Sequence, residues 1–62
     1  MTDATKARAI ECQQWADHYA SEAAIARQCA RDYDGCKYRA RALHCQHMAK
    51  INAATARAIL AD

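Results

Sequence analysis

The chain has one place at which to turn. Its 62 residues include no proline and a single glycine, Gly35, which follows Asp34. Glycine readily takes the left-handed conformation that ends a helix, and aspartate caps helix starts, so this pair is a turn signal. We therefore predict an all-α protein with a first helix over about residues 3–33, a turn at 34–35 and a second helix over about residues 36–61. Thr2 or Asp3 is the expected first cap.

Both predicted helices repeat mostly small residues at alternating spacings of three and four, as coiled-coil seams do. In the first helix these positions are Ala9, Cys12, Ala16, Tyr19, Ala23, Ala26, Ala30 and Tyr33. In the second they are Tyr38, Ala42, Cys45, Ala49, Asn52, Ala56 and Ile59.

The two seams predict an antiparallel two-helix hairpin, an alanine-rich coiled coil that makes residues 1–62 one domain. Folding at Gly35 places Tyr19 near Asn52, where the two side chains could hydrogen-bond. The main alternative is one uninterrupted helix that pairs with a second chain, because glycine inside a helix costs only about 1 kcal/mol relative to alanine.

A monomeric hairpin of this composition has a weak core. The chain has seventeen alanines, six leucines and isoleucines together, and neither valine nor phenylalanine, and each alanine contributes little apolar surface. Short chains with small cores commonly self-associate. Most large side chains lie off the seam, on a second stripe of each helix. We therefore predict a homodimer, as a four-helix bundle, with an interface at Trp15, His18, Ile25, His47 and Ile51.

Charge is distributed unevenly along the chain, whose net charge is +2. Residues 1–34 contain four basic and six acidic side chains, whereas residues 35–62 contain five basic side chains and one acidic. This asymmetry predicts a protein partner with an acidic surface. RNA is the alternative, although the small net charge and the scarcity of aromatic residues are unusual for a nucleic-acid binder. The predicted basic face comprises Arg39, Arg41, Lys50 and Arg57.

Cysteine and histidine residues near the turn offer only weak candidates for a metal site. They are Cys29, Cys36, His44, Cys45 and His47. Zinc requires about four converging ligands, but the chain has no Cys-x-x-Cys or His-x-x-x-His pair. We expect packed thiols and half-exposed histidines, with no metal and no cofactor. Disulfides joining Cys29 to Cys36 or to Cys45, or two chains through Cys12, remain open alternatives.

The sequence predicts neither an enzyme nor a membrane protein. It has no phosphate-binding glycine loop and no paired-carboxylate motif, and no run approaches the ~20 apolar residues of a membrane span. Without an apparent signal peptide the expected location is the cytoplasm, where cysteines are normally thiols. The leading hypothesis is a non-catalytic protein-binding module that regulates or inhibits a partner by occupying its surface. Nucleic-acid binding through the second helix and metal binding are the alternatives.

In length and presumed design the chain resembles the small helical-hairpin dimers that regulate plasmid RNA pairing. The resemblance is one of architecture, so it implies an all-α hairpin and assigns no role to any residue.

Overall fold

Two α-helices account for nearly all of the chain. The computed structural model of the protein describes residues 2–33 and 36–61, which contain α1 (Asp3–Tyr33) and α2 (Cys36–Ala61). The helices pack against each other as a hairpin whose Cα atoms extend over 47 × 12 × 11 Å. The predicted all-α hairpin is therefore confirmed, and both helices have the limits that the sequence indicated. The predicted turn at Asp34 and Gly35 lies outside the described residues.

Thr2 is the residue that begins α1. Its Oγ1 accepts a hydrogen bond from the backbone N–H of Thr5 at 3.1 Å, and its carbonyl oxygen accepts one from the N–H of Lys6 at 3.0 Å. The Thr2 and Thr5 hydroxyls are also hydrogen-bonded, at 2.8 Å. The first N–H groups of a helix have no partner inside the helix, so a threonine oxygen here satisfies one of them. Of the two predicted caps, the structure selects Thr2.

We expect Thr2→Ala to lower the free energy of unfolding by about 1 kcal/mol, because the Thr5 N–H loses its acceptor. Thermal unfolding followed by circular dichroism measures this change. Ser21→Ala is the matched control, since it removes a hydroxyl from an exposed position inside the same helix. Alanine is the better helix former there, so this control should be neutral or slightly stabilising. Equal destabilisation by both substitutions would contradict the assignment of the cap.

The core between the helices is built almost entirely from alanine. The buried residues are Ala9, Ala16, Ala23, Ala26, Ala42, Cys45 and Ala56. Every one of them occupies a predicted seam position, and the other seam residues are half-buried except Tyr33, which is 71% exposed. Small side chains at these positions let the two helix backbones approach closely.

One expected contact across the seam does not form. Asn52 Nδ2 donates instead to the carbonyl oxygen of Met48, one turn earlier in α2, at 2.8 Å. Because the half-buried amide donor is satisfied within its own helix, it does not need the Tyr19 hydroxyl. The two helices therefore meet through methyl groups and the Cys45 thiol rather than through a hydrogen bond between Tyr19 and Asn52.

The same packing leaves the large apolar side chains outside. Those that are exposed in the hairpin are Ile10, Trp15, Ile25, Tyr33, Leu43, Ile51 and Leu60. Neither of the two described helices is long and apolar enough to cross a membrane. A second protein surface can reach these exposed apolar side chains.

Candidate functional site

One side of the hairpin carries an apolar and aromatic surface, which we call the Trp15 face. Each of its residues comes directly before a seam residue of its own helix. In α1 they are Trp15, His18, Glu22 and Ile25, and in α2 they are Arg41, Met48 and Ile51.

The Trp15 face is exposed yet ordered by its own contacts. Trp15 is 48% exposed, Ile25 57% and Ile51 45%. The Trp15 and His18 rings meet edge to face with centroids 5.6 Å apart, and Tyr19 lies 6.0 Å from Trp15 and 5.5 Å from His18. Such pairs add modest attraction to the area they cover. These contacts restrict the rotation of the Trp15 and His18 side chains before any partner binds.

An ion pair connects the two helices on this same side. Arg41 Nη2 lies 3.5 Å from Glu22 Oε2, and exposed pairs of this kind are worth no more than about 1 kcal/mol. The pair shows that the α1 and α2 parts of the Trp15 face are neighbours, while the seam holds the helices together. The ion pair also removes Arg41 from the group of cations that are free to meet a ligand.

The opposite side of the hairpin has a groove that runs between the helices, which we call the basic groove. One part has a volume of about 490 Å³ and the next about 290 Å³, and Arg27 and Gln46 line both, so the two parts are continuous. The floor is made of alanines from both helices: Ala20, Ala23, Ala30, Ala42 and Ala49.

Four cations border this floor, two from each helix. The residues of the rim are Arg27, Arg31, Arg39, Leu43, Gln46 and Lys50. Within residues 2–33 and 36–61 the only carboxylate–cation pair closer than 4.0 Å is that of Glu22 with Arg41, so no described carboxylate neutralises the rim. Arg31 Nη2 donates to Gln28 Oε1 at 2.7 Å, while Gln28 Nε2 donates to Asp32 at 3.0 Å. Gln28 therefore positions the Arg31 guanidinium, which forms no ion pair with a carboxylate of the described residues.

The structure divides the predicted basic residues between different surfaces. Arg39 and Lys50 border the groove, Arg41 pairs with Glu22 on the other side, and Arg57 is exposed without lining either part of the groove. The basic face predicted from the sequence lacked the two contributions from α1, Arg27 and Arg31.

A signal for the missed residues exists in the sequence. Arg27 follows the seam residue Ala26 by one position, as Arg31 follows Ala30. Arg39 and Lys50 stand in the same relation to Tyr38 and Ala49. In an antiparallel hairpin, residues one position after the seam of both helices lie on the same side, and this is the side of the basic groove.

The predicted interface residues are only partly brought together. Trp15, His18, Ile25 and Ile51 belong to the Trp15 face. His47 is exposed on the outer side of α2, because it is two residues away from both Cys45 and Ala49, which border the seam.

The cysteine and histidine candidates remain dispersed. Cys45 is buried in the seam, Cys29 is half-buried, and Cys36, His44 and His47 are exposed. All four cysteines are free thiols, including Cys12. In the part of the chain that the structure describes, no three His, Cys, Asp or Glu residues lie close enough together to hold a metal ion. Cys45 therefore acts as a small packing residue.

Comparison with known proteins was negative: no family model, curated protein or solved structure matches this chain. The Trp15 face and the basic groove are accordingly the two surfaces from which a function can be inferred.

Proposed function

We propose that the chain is a non-catalytic protein-binding module that assembles into a homodimer through its Trp15 face. The observation that carries this proposal is that small side chains fill the core while large apolar side chains lie outside it. Alanine and one cysteine fill the core, whereas Trp15, Ile25 and Ile51 are about half exposed. Burying such residues is the main source of free energy for both folding and association. A second copy supplies the cover that the hairpin itself lacks.

The hairpin exposes more surface than a compact domain of its mass. A compact monomer of 6.9 kDa is expected to expose roughly 4,000 Å², and this chain exposes 4616 Å². The elongated shape accounts for the excess, and two hairpins packed side by side would cover part of it.

The Trp15 face is self-complementary along α1. Trp15 and Ile25 are equally far from residue 20, and so are His18 and Glu22. An antiparallel two-fold arrangement centred there sets Trp15 against Ile25 of the partner subunit and His18 against Glu22 of the partner subunit. Apolar groups then meet apolar groups, and a base meets an acid, as an isologous interface requires.

The same axis passes close to Ile51 of α2. Ala20 and Ala23 line the groove together with Ala49 and Lys50, so residue 20 lies about level with residue 51. Ile51 is then set against Ile51 of the partner subunit at the centre of the interface, where buried apolar anchors contribute most. Two hairpins joined in this way form a four-helix bundle.

This dimer leaves the basic groove of each subunit on the outside. The groove and the Trp15 face lie on opposite sides of the hairpin, so covering one leaves the other open. The rim offers arginine, lysine, glutamine and leucine side chains rather than a nucleophile with a positioned base, which favours binding over catalysis. In this proposal the module regulates or inhibits an acidic partner protein by occupying its surface.

The position of Ile51 near the two-fold axis is testable by cross-linking. In a chain whose four native cysteines are replaced by alanine, we expect Ile51→Cys to give a product of twice the subunit mass with a short bis-maleimide, as seen by mass spectrometry. Ile10→Cys is the control, because Ile10 follows the seam residue Ala9 and lies away from the Trp15 face. Equal yields from both variants, or monomer alone from Ile51→Cys, would refute the proposed dimer.

A further inference from the structure

We propose that the basic groove is a docking site for an amphipathic helix of another protein, whose apolar stripe is bordered by carboxylates. This inference deepens the proposed function by naming the chemistry of the partner. It rests on the protein-binding role proposed above, and it does not depend on how the hairpin dimerises.

The shape of the groove suits a helix. From Ala20 to Arg31 it extends for about 16 Å at 1.5 Å per residue, the length of about three helical turns. Its floor consists of alanines from α1 and α2, whose methyl groups extend little above the helix backbones. A third helix laid between the two can therefore approach closely and pack its side chains against both.

The apolar part of the rim favours an incoming helix that carries an apolar stripe. Leu43 borders the wider part of the groove and is 67% exposed, beside the methyl groups of Ala30 and Ala42. Leucine or isoleucine side chains spaced three and four residues apart on the incoming helix would cover these groups. Burying these apolar groups contributes binding free energy that a purely polar ligand cannot provide.

The cations of the rim favour an incoming helix with carboxylates on both sides of that stripe. Arg27 and Arg31 are one turn apart on α1, while Arg39 and Lys50 stand on the α2 side. Glutamates one turn apart on the incoming helix would face Arg27 and Arg31, and arginine can bind a carboxylate through two parallel hydrogen bonds. Because no described carboxylate pairs with these four cations, an incoming acidic group displaces no ion pair within residues 2–33 and 36–61.

Nucleic acid fits the same groove less well. Phosphates would satisfy the cations, but none of the described lining residues has an aromatic side chain on which a base could stack. The alanine floor and Leu43 would also remain uncovered by a polyanion that follows the rim. An acidic amphipathic helix uses both the charged and the apolar parts of the site.

The test uses two synthetic peptides of about 16 residues, long enough for some helix to form. Both carry leucines at alternating spacings of three and four; one has glutamates beside this stripe and the other has lysines. We expect fluorescence anisotropy to show that the full-length protein binds the glutamate peptide at least about tenfold more tightly than the lysine peptide. No binding of the glutamate peptide up to about 1 mM would overturn the proposal.

Two pairs of variants locate the site. Arg27→Glu with Arg39→Glu should weaken binding of the glutamate peptide by about tenfold or more, whereas Lys6→Glu with Lys37→Glu makes the same change in net charge outside the groove and should have a much smaller effect. Leu43→Asn should also weaken binding, and Leu60→Asn, an exposed leucine beyond the groove, should not. Circular dichroism confirms that each variant remains helical.

The Leu43 result distinguishes the proposed ligand from a polyanion. If Leu43→Asn leaves the affinity for the peptide unchanged while the arginine variants reduce it, the site is only a charged surface and the proposal fails. The proposal also fails if a labelled 20-nucleotide single-stranded RNA binds more tightly than the glutamate peptide and loses affinity in the arginine variants. Dimerisation is measured separately by cross-linking, so failure of the groove and failure of the dimer are distinguishable.

Discussion

Replacing Ala23 by leucine is expected to lower the free energy of unfolding by about 1–3 kcal/mol, the range for overpacked cores. Ala23 is 1% exposed in the seam between α1 and α2. Leucine adds three carbon atoms at a point where the helices are held apart only by methyl groups. The helices must separate or the side chain must leave a favoured rotamer, and either response weakens the neighbouring seam contacts.

Urea or thermal unfolding of the Ala23→Leu variant measures this loss, with each kcal/mol corresponding to about 4–8 °C in a domain of this size. Ala24→Leu is a close control, because it makes the same chemical change at the adjacent, exposed residue of the same helix. Alanine and leucine have similar helix propensities, so this variant should unfold nearly as the parent protein does. Equal stability of the two variants would show that the seam can accommodate a leucine at residue 23. That result would contradict close packing of the two helices at this position.

The combined substitution Ile25→Asp and Ile51→Asp is expected to abolish the homodimer. Burying a fully exposed isoleucine contributes about 1.5–3 kcal/mol. Ile25 and Ile51 are already about half covered in the hairpin, so each adds about half of that on association, and both residues occur twice in the proposed interface. A carboxylate in their place would also have to lose hydration without a partner. A weakening of at least about 5 kcal/mol corresponds to a dissociation constant raised by more than about a thousandfold.

Sedimentation equilibrium provides the measurement, with a dimeric parent protein and a monomeric variant expected at the same concentration. Ile10→Asp with Leu60→Asp is the matched control, since these two residues are comparably exposed, at 59% and 58%, but lie away from the Trp15 face. This control should remain dimeric. A parent protein that is monomeric throughout, or two variants that dissociate equally, would contradict the proposed interface.

The helices and their seam were predictable from the sequence because both depend on local properties. A chain without proline and with one glycine has few ways to end a helix, and the spacing of Ala16, Ala23 and Ala26 identifies the side that must be covered. All seven residues that are buried in the described part of the chain lie at positions marked by that spacing. The cap was only narrowed to Thr2 or Asp3, because choosing between them requires knowing which oxygen meets the Thr5 N–H.

The candidate sites were less predictable, because they combine residues that are distant along the chain. The exposed stripe with Trp15 and Ile25 follows from periodicity within α1. The basic groove does not, since α2 read alone suggests a basic helix and gives no reason to add Arg27. The hydrogen bond of Asn52 also had to be read from the structure, which places the Met48 carbonyl oxygen 2.8 Å from Asn52 Nδ2.

The sequence by itself determined that this protein is an alanine-seamed pair of helices whose large side chains lie outside the core. Only the tertiary structure decided which charges act together. Packing places Arg27 and Arg31 beside Arg39 and Lys50 around an alanine floor, and it pairs Arg41 with Glu22 on the other side. The physical reason is that helical periodicity sets the direction of each side chain within its own helix, whereas the level at which two helices meet is set by close packing along their whole contact.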